Sequence, residues 1–168
     1  YGFIGANNTN NVTGDDFKAE GGDMNAPATP GVYRIVVDFQ TNKWTVTPVT
    51  VPTNLYIVGD ATAGGWNNPV PVPSQQFTQL DTYTFALVTT LTTGKGYLFL
   101  PLNGDWNHKF GGSVDGSSLS TLLADGDVPG SNTPAPSVTG QYLITVNFFT
   151  NTYSVVPYSG NLFIVGDA

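Results

Sequence analysis

The sequence predicts an all-β protein built from tandem immunoglobulin-like antiparallel β-sandwich domains. Three observations lead there. Short stretches alternate apolar and polar residues with a period of two, and no stretch sustains an apolar period of 3.6 residues. Twenty Gly and twelve Pro punctuate a 168-residue chain in which β-branched Thr is abundant. Similar segments recur in one order at one long spacing, which is the signature of whole domains in tandem.

The recurrence sets the domain organisation. GVYRIVVDFQTNKWTVTPV at 31–49 matches GQYLITVNFFTNTYSVVPY at 140–158, an offset of 109 residues. NLYIVGDA at 54–61 matches NLFIVGDA at 161–168, an offset of 107. Gly22-Asp23 and Gly126-Asp127 each lead into a Pro-containing stretch and then a Gly, and Gly2-Phe3-Ile4-Gly5 parallels Lys109-Phe110-Gly111-Gly112. Residues 1–50 are therefore expected to be the C-terminal half of one sandwich domain. Residues 51–160 are expected to be a complete domain, and 161–168 the first strand of a following one. Val51-Pro52-Thr53 and Ser159-Gly160 are short joints that restrict the freedom of neighbours. An apolar strand without its own domain, such as 161–168, is also a candidate for donation to a neighbouring chain.

In chain order, 31–39 and 43–49 read as a hairpin. Trp44 shares parity with Val46 and matches Tyr153 in the second copy, so it is expected in the core. LYIVGD at 55–60 and GYLFLP at 96–101 are nearly continuous apolar runs, as expected of central strands. Tyr83, Phe85 and Leu87 alternate with Thr82, Thr84 and Ala86. Ser117–Ala124 fits either a short helical turn or a strand. Tyr142, Ile144, Val146 and Phe148 alternate with Leu143, Thr145, Asn147 and Phe149, and Thr150-Asn151 reads as a tight hairpin leading into 152–157.

Composition excludes several function classes. The formal net charge is −7, with five Lys plus Arg. Nucleic-acid binding needs clustered cations, and so does attraction to anionic membranes. With no Cys, disulfides, thiolate metal sites and Cys nucleophiles are absent together. No apolar run approaches the ~18 residues of a membrane-spanning helix.

Two loops stand out, GDATAGGWNNP at 59–69 and PLNGDWNHKFGG at 101–112. Each sets one Trp among Gly, Asn and Asp. One reading is that Trp66 and Trp106 plug the ends of the sandwich. The other is a sugar platform, on which the C–H face of a pyranose stacks while its hydroxyls meet planar amides and charges. Asn107, His108 and Lys109 follow Trp106, Asn67 and Asn68 follow Trp66, and Lys95 between Gly94 and Gly96 is within the same domain.

Catalytic constellations are thin. His108 is the one His, and no nucleophile-elbow motif accompanies it. Residues 51–160 contain six Asp and no Glu, and Asp in Gly-flanked turns usually serves the turn. Asp115, Asp125 and Asp127 lack EF-hand spacing and read as solvated turn residues rather than a calcium site. No catalytic residue, metal or cofactor is expected.

LYIVGDATAGGWN, GYLFLPLNGDWNHKFGG and GQYLITVNFFTNTYSVVP, in that order, resemble the repeated domains of SusE/SusF-type surface lipoproteins of Bacteroidetes. The resemblance covers 54–158 and reaches into both flanks. It implies tandem sandwich domains displayed at the outer membrane on a lipid anchor lying outside this sequence. It implies non-catalytic binding of a polysaccharide or oligosaccharide, beside an outer-membrane transporter and its capping lipoprotein. Carried onto this chain, the binding candidates are Trp66, Trp106, Asn107, Lys109 and Lys95. The rival expectation is a structural spacer or adhesive assembly domain without a sugar site.

Overall fold

The computed structural model describes residues 4–7, 11–112, 119–121 and 132–160. Every regular element among them is a β-strand, and every strand pairing is antiparallel. The chain forms two compact units, Tyr1–Thr50 and Val51–Ala168. The strand anticipated at 161–168 lies outside the described residues.

The first unit is one four-stranded sheet. It contains β1 (Ile4–Ala6), β2 (Gly14–Ala19), β3 (Tyr33–Asp38) and β4 (Lys43–Pro48), in the order β1-β2-β4-β3. Residues directly opposite one another share a face. Val37 opposes Trp44 and Ile35 opposes Val46, and Ala6 opposes Phe17. These side chains form an apolar face. Phe17, Trp44 and Val46 are buried there with Met24 and Tyr33 packed against them. The core position of Trp44 follows from its phase with Val46.

The second unit is a sandwich of two sheets. One contains β6 (Thr78–Gln79), β7 (Thr84–Leu91), β12 (Gly140–Asn147) and β13 (Thr152–Pro157), in the order β13-β12-β7-β6. The other contains β5 (Tyr56–Val58), β8 (Gly96–Leu100), β9 (Phe110–Gly112), β10 (Leu119–Thr121) and β11 (Thr133–Pro134). Here β8 is central. It carries β5 on one edge, and β9 and β11 on the other. Between the sheets, Ile57, Phe77, Tyr97 and Phe99 meet Phe85, Ile144, Val146 and Tyr153. The Phe99 and Tyr153 rings cross that gap edge to face at 5.6 Å. Val51 also packs against this core.

Period-two alternation is clearest in β12, where Tyr142, Ile144 and Val146 are buried between half-buried neighbours. The continuous apolar runs have a different cause. In β5 and β8 one face, Ile57, Tyr97 and Phe99, enters the inter-sheet core. The other face, Val58, Leu98 and Leu100, forms a second cluster closed by Val70. Val70 belongs to the loop that carries Trp66, so the apolar outer face of the sheet is what holds that loop down.

Two local expectations change. The hairpin expected to turn on Thr150-Asn151 alone turns on four residues, because Asn147 and Thr152 are the closing pair. Asn151 adopts φ 58° and Asn42, its counterpart, φ 55°, and Asn tolerates this left-handed region better than most residues. Within 117–124, left open between helical turn and strand, residues 119–121 form the strand β10.

Candidate functional site

Two loops build the site. The first, residues 59–75, leaves β5 and folds back along it, with the Ile57 N–H donating to the Gln75 carbonyl. Gly59 is required at its start: it has φ 144°, and a Cβ there would collide with the Gly96 carbonyl. Gln75 is buried and ties the loop at two points. Its Oε1 accepts the Gly64 N–H at 2.7 Å and its Nε2 donates to the Ile57 carbonyl at 2.6 Å. The second loop, residues 101–109, connects β8 to β9.

The two loops are latched together by amide side chains. Asn103 Oδ1 accepts the Val70 N–H at 2.7 Å, and its Nδ2 donates to the Val70 carbonyl at 3.2 Å. Asn68 Oδ1 accepts the Gly104 N–H at 2.7 Å. Asn67 Nδ2 donates to the Gly64 carbonyl. Sequence reading placed Asn67 and Asn68 beside Trp66 as rim donors; both amides instead fasten loop backbone.

The latch sets Trp66 and Trp106 side by side. Their ring centroids are 6.5 Å apart with planes inclined at 39°. They are 39% and 38% exposed. Each ring is thus more than half covered and keeps a solvent-facing part. They form a shallow two-ring shelf that is partly supported and partly open to solvent. Asp105 shapes the loop beneath it, accepting the Asn107 N–H at 2.8 Å and contacting His108 Nδ1 at 3.0 Å. First the Asn107 amide and then His108 hold the Asp105 carboxyl below its ordinary value.

The other candidates are distributed unevenly. Asn107 is exposed beside Trp106. Lys109 is only 4% exposed, so it acts from within the protein rather than at a solvent-facing rim. Lys95 precedes β8 whereas Trp106 follows it, so five strand residues, about 16 Å of extended chain, separate the two loops along that strand. Its ammonium lies 3.4 Å from Asp60 Oδ2, while Asp60 Oδ1 accepts the Gly96 N–H. That N–H, more than Lys95, lowers the Asp60 pKa. The structure thus brings Trp66, Trp106 and Asn107 to one surface and gives Lys95 a partner of its own.

Sequence reading missed Gln75, whose role depends on a loop folding back over its own strand. It also missed an aromatic pair, Tyr83 and Phe149, with centroids 5.3 Å apart. A shallow concavity of about 290 Å³ lies there, lined by Asp81, Thr82, Thr84 and Asn147 as well. Asp81 Oδ1 already accepts the Tyr83 and Thr84 N–H groups, and Asn147 bonds Thr84 Oγ1 and the Thr150 N–H. This polar lining is committed to local structure. Asp115, Asp125 and Asp127 lie outside the described residues.

No protein-family model matches the chain, and no curated protein matches it. Among solved structures, the crystal structure of SusF from Bacteroides thetaiotaomicron is similar, with a TM-score of 0.56 at 19% sequence identity. The match covers 98% of this chain and 37% of SusF, so the chain spans well under half the length of that protein. The likeness establishes a SusF-like fold.

Proposed function

We propose that Val51–Ala168 is a non-catalytic glycan-binding unit of a cell-surface polysaccharide-uptake system. Trp66 and Trp106 are its platform. The observation that carries this reading is the pairing of the two rings. They come from loops 40 residues apart in sequence, yet meet as a half-exposed shelf held by side-chain latches. Holding two large rings at the surface has an exposure cost that a bound apolar face removes. A sugar chain supplies such faces. Asn107 is the amide placed to meet hydroxyls. The SusF-like fold supports the same reading. The resemblance of the sequence to SusE/SusF-type lipoproteins extends the proposal: the unit is part of an outer-membrane surface lipoprotein that works beside a transporter and its capping lipoprotein.

The test is electrophoresis of the chain through native gels cast with a panel of polysaccharides, amylopectin among them. Retardation by at least one polymer, lost in the Trp66→Ala/Trp106→Ala double variant, is the expected result. Equal mobility in all gels sinks the reading and leaves a spacer or assembly domain. Release of sugar from any polymer at high protein concentration argues instead for an enzyme.

A further inference from the structure

The latch between the two Trp loops contains a chemically reactive pair. Asn103-Gly104 is the one Asn-Gly pair in the chain. In such a pair the Gly nitrogen can attack the Asn side-chain carbonyl carbon, and Gly, lacking Cβ, hinders that attack least. The pair lies at the centre of a turn. The Asp105 N–H donates to the Leu102 carbonyl at 3.3 Å, and Gly104 has φ 93°, as the third residue of a type II turn requires. Both reacting groups are held. The Gly104 N–H donates to Asn68 Oδ1 at 2.7 Å. The Asn103 amide grips Val70 at both ends, accepting its N–H and donating to its carbonyl.

We infer that Asn103 is a deamidation site gated by the latch: it converts when the loops open, and the product cannot fasten them again. The Gly104 nitrogen loses its proton and bonds to Asn103 Cγ. The Cγ–Nδ2 bond breaks, and that nitrogen takes up a proton and leaves as ammonia. Water then opens the cyclic imide at either carbonyl, giving aspartate or isoaspartate. One water is consumed and one ammonia released, with no oxidant or reductant. In the product, the Nδ2 donor to the Val70 carbonyl has become a carboxylate oxygen, which only accepts. Two acceptors then face each other across the latch, and isoaspartate also adds a carbon to the backbone of the turn. The Trp66 loop loses this hold on the Trp106 loop. The chemistry needs no ligand; its effect on binding rests on the glycan reading above.

The test incubates the full chain and a synthetic peptide of residues 100–108 side by side in mildly alkaline buffer. Trypsin cleavage after Lys95 and Lys109 isolates 96–109, and tandem mass spectrometry locates the amide-to-acid change at 103. The expected result is conversion about tenfold or more slower in the folded chain than in the peptide. Asn68→Ala frees the Gly104 nitrogen without stripping another group, because Asn68 Nδ2 is buried without a partner. It should speed conversion about tenfold, while the Phe99 and Tyr153 signals show the second unit still folded. In low urea, Gly104 amide exchange and Asn103 conversion should rise together, since the same proton leaves in both. Asn103→Asp, one of the products, should lose the nuclear Overhauser contact between Trp66 and Trp106. Conversion as fast in the folded chain as in the peptide overturns the gating. So does a rate indifferent to both Asn68→Ala and urea. A Trp66–Trp106 contact kept in Asn103→Asp overturns the claim about the product. Every reading is taken without polysaccharide, so failure of glycan binding leaves this inference standing.

Discussion

Single residues decide whether the shelf binds. Trp66 and Trp106 are each about three-fifths buried and pack on one another, so truncating either is expected to cost the second unit about 1–3 kcal/mol. The same truncation removes a stacking face. Trp66→Ala and Trp106→Ala are each expected to weaken binding to the retarding polymer about tenfold or more, or about 1.4 kcal/mol, while the chain remains folded at the temperature of the binding assay. Gel mobility and a melting curve on the same samples check both halves. Asp105 gives a pH prediction. Its carboxyl is held below the ordinary value, near 4 in unfolded chains, by the Asn107 amide and His108. A depressed folded-state value favours the folded loop above the unfolded pKa, and that contribution is lost as pH falls through the depressed value. Tryptophan fluorescence of the native chain should therefore change on acidification below about pH 4. That change should be absent from Asp105→Ala, whose loop lacks the carboxylate at every pH. The Trp residues were legible as loop aromatics because turn formers surround them. Their meeting was not, since no local signal links positions 66 and 106. Lys109 shows the reverse failure. A Lys next to Trp, Asn and His reads as a rim donor, but it directly precedes β9, whose Phe110 packs on Phe148, and the chain there already dives into the sandwich.

At the scale of elements, the loops are as ordered as their fasteners. Asn103 satisfies both the N–H and the carbonyl of Val70, which closes the apolar cluster over Val58, Leu98 and Leu100. Asn103→Ala leaves both backbone groups without that partner. It is expected to cost about 1–3 kcal/mol in denaturant melts and to weaken glycan binding without touching either ring. A variant that melts lower yet binds as the parent does would separate the latch from the site. The β8 run was legible as a central strand, whereas the β5 run, expected to be central as well, pairs with β8 alone among the named strands, and neither run showed why both its faces are apolar. One face serves the sandwich and the other serves a loop, and a run of LYIV or GYLFL looks the same in either case. The hairpins were legible in place but not in length. The Asn that adopts a left-handed backbone is the last of four turn residues, and a sequence of Thr-Asn alone suggests a turn of two.

Over the whole molecule, repetition was the most informative signal. Two copies of one pattern, 109 residues apart, led to the expectation of a half-domain at 1–50 and a complete one at 51–160, and the chain forms two compact units with their boundary between Thr50 and Val51. The two units differ in their buried clusters. The second unit has an inter-sheet core centred on Phe99, whose ring meets Phe77, Tyr97 and Tyr153. The first unit has the small cluster of Phe17, Trp44 and Val46. Phe99→Ala is expected to destabilise the second unit by about 3–5 kcal/mol. The indole signal of Trp44 should report the first unit unchanged under conditions that unfold the variant. The central claim is that the Trp66–Trp106 shelf is the glycan surface. The most direct measurement follows the three indole N–H signals by NMR during titration with an oligosaccharide of the retarding polymer. The expected result is saturable movement of the Trp66 and Trp106 signals while buried Trp44 stays still. Saturable binding that leaves both shelf signals in place, with shifts at Tyr83 and Phe149 or elsewhere, would contradict it.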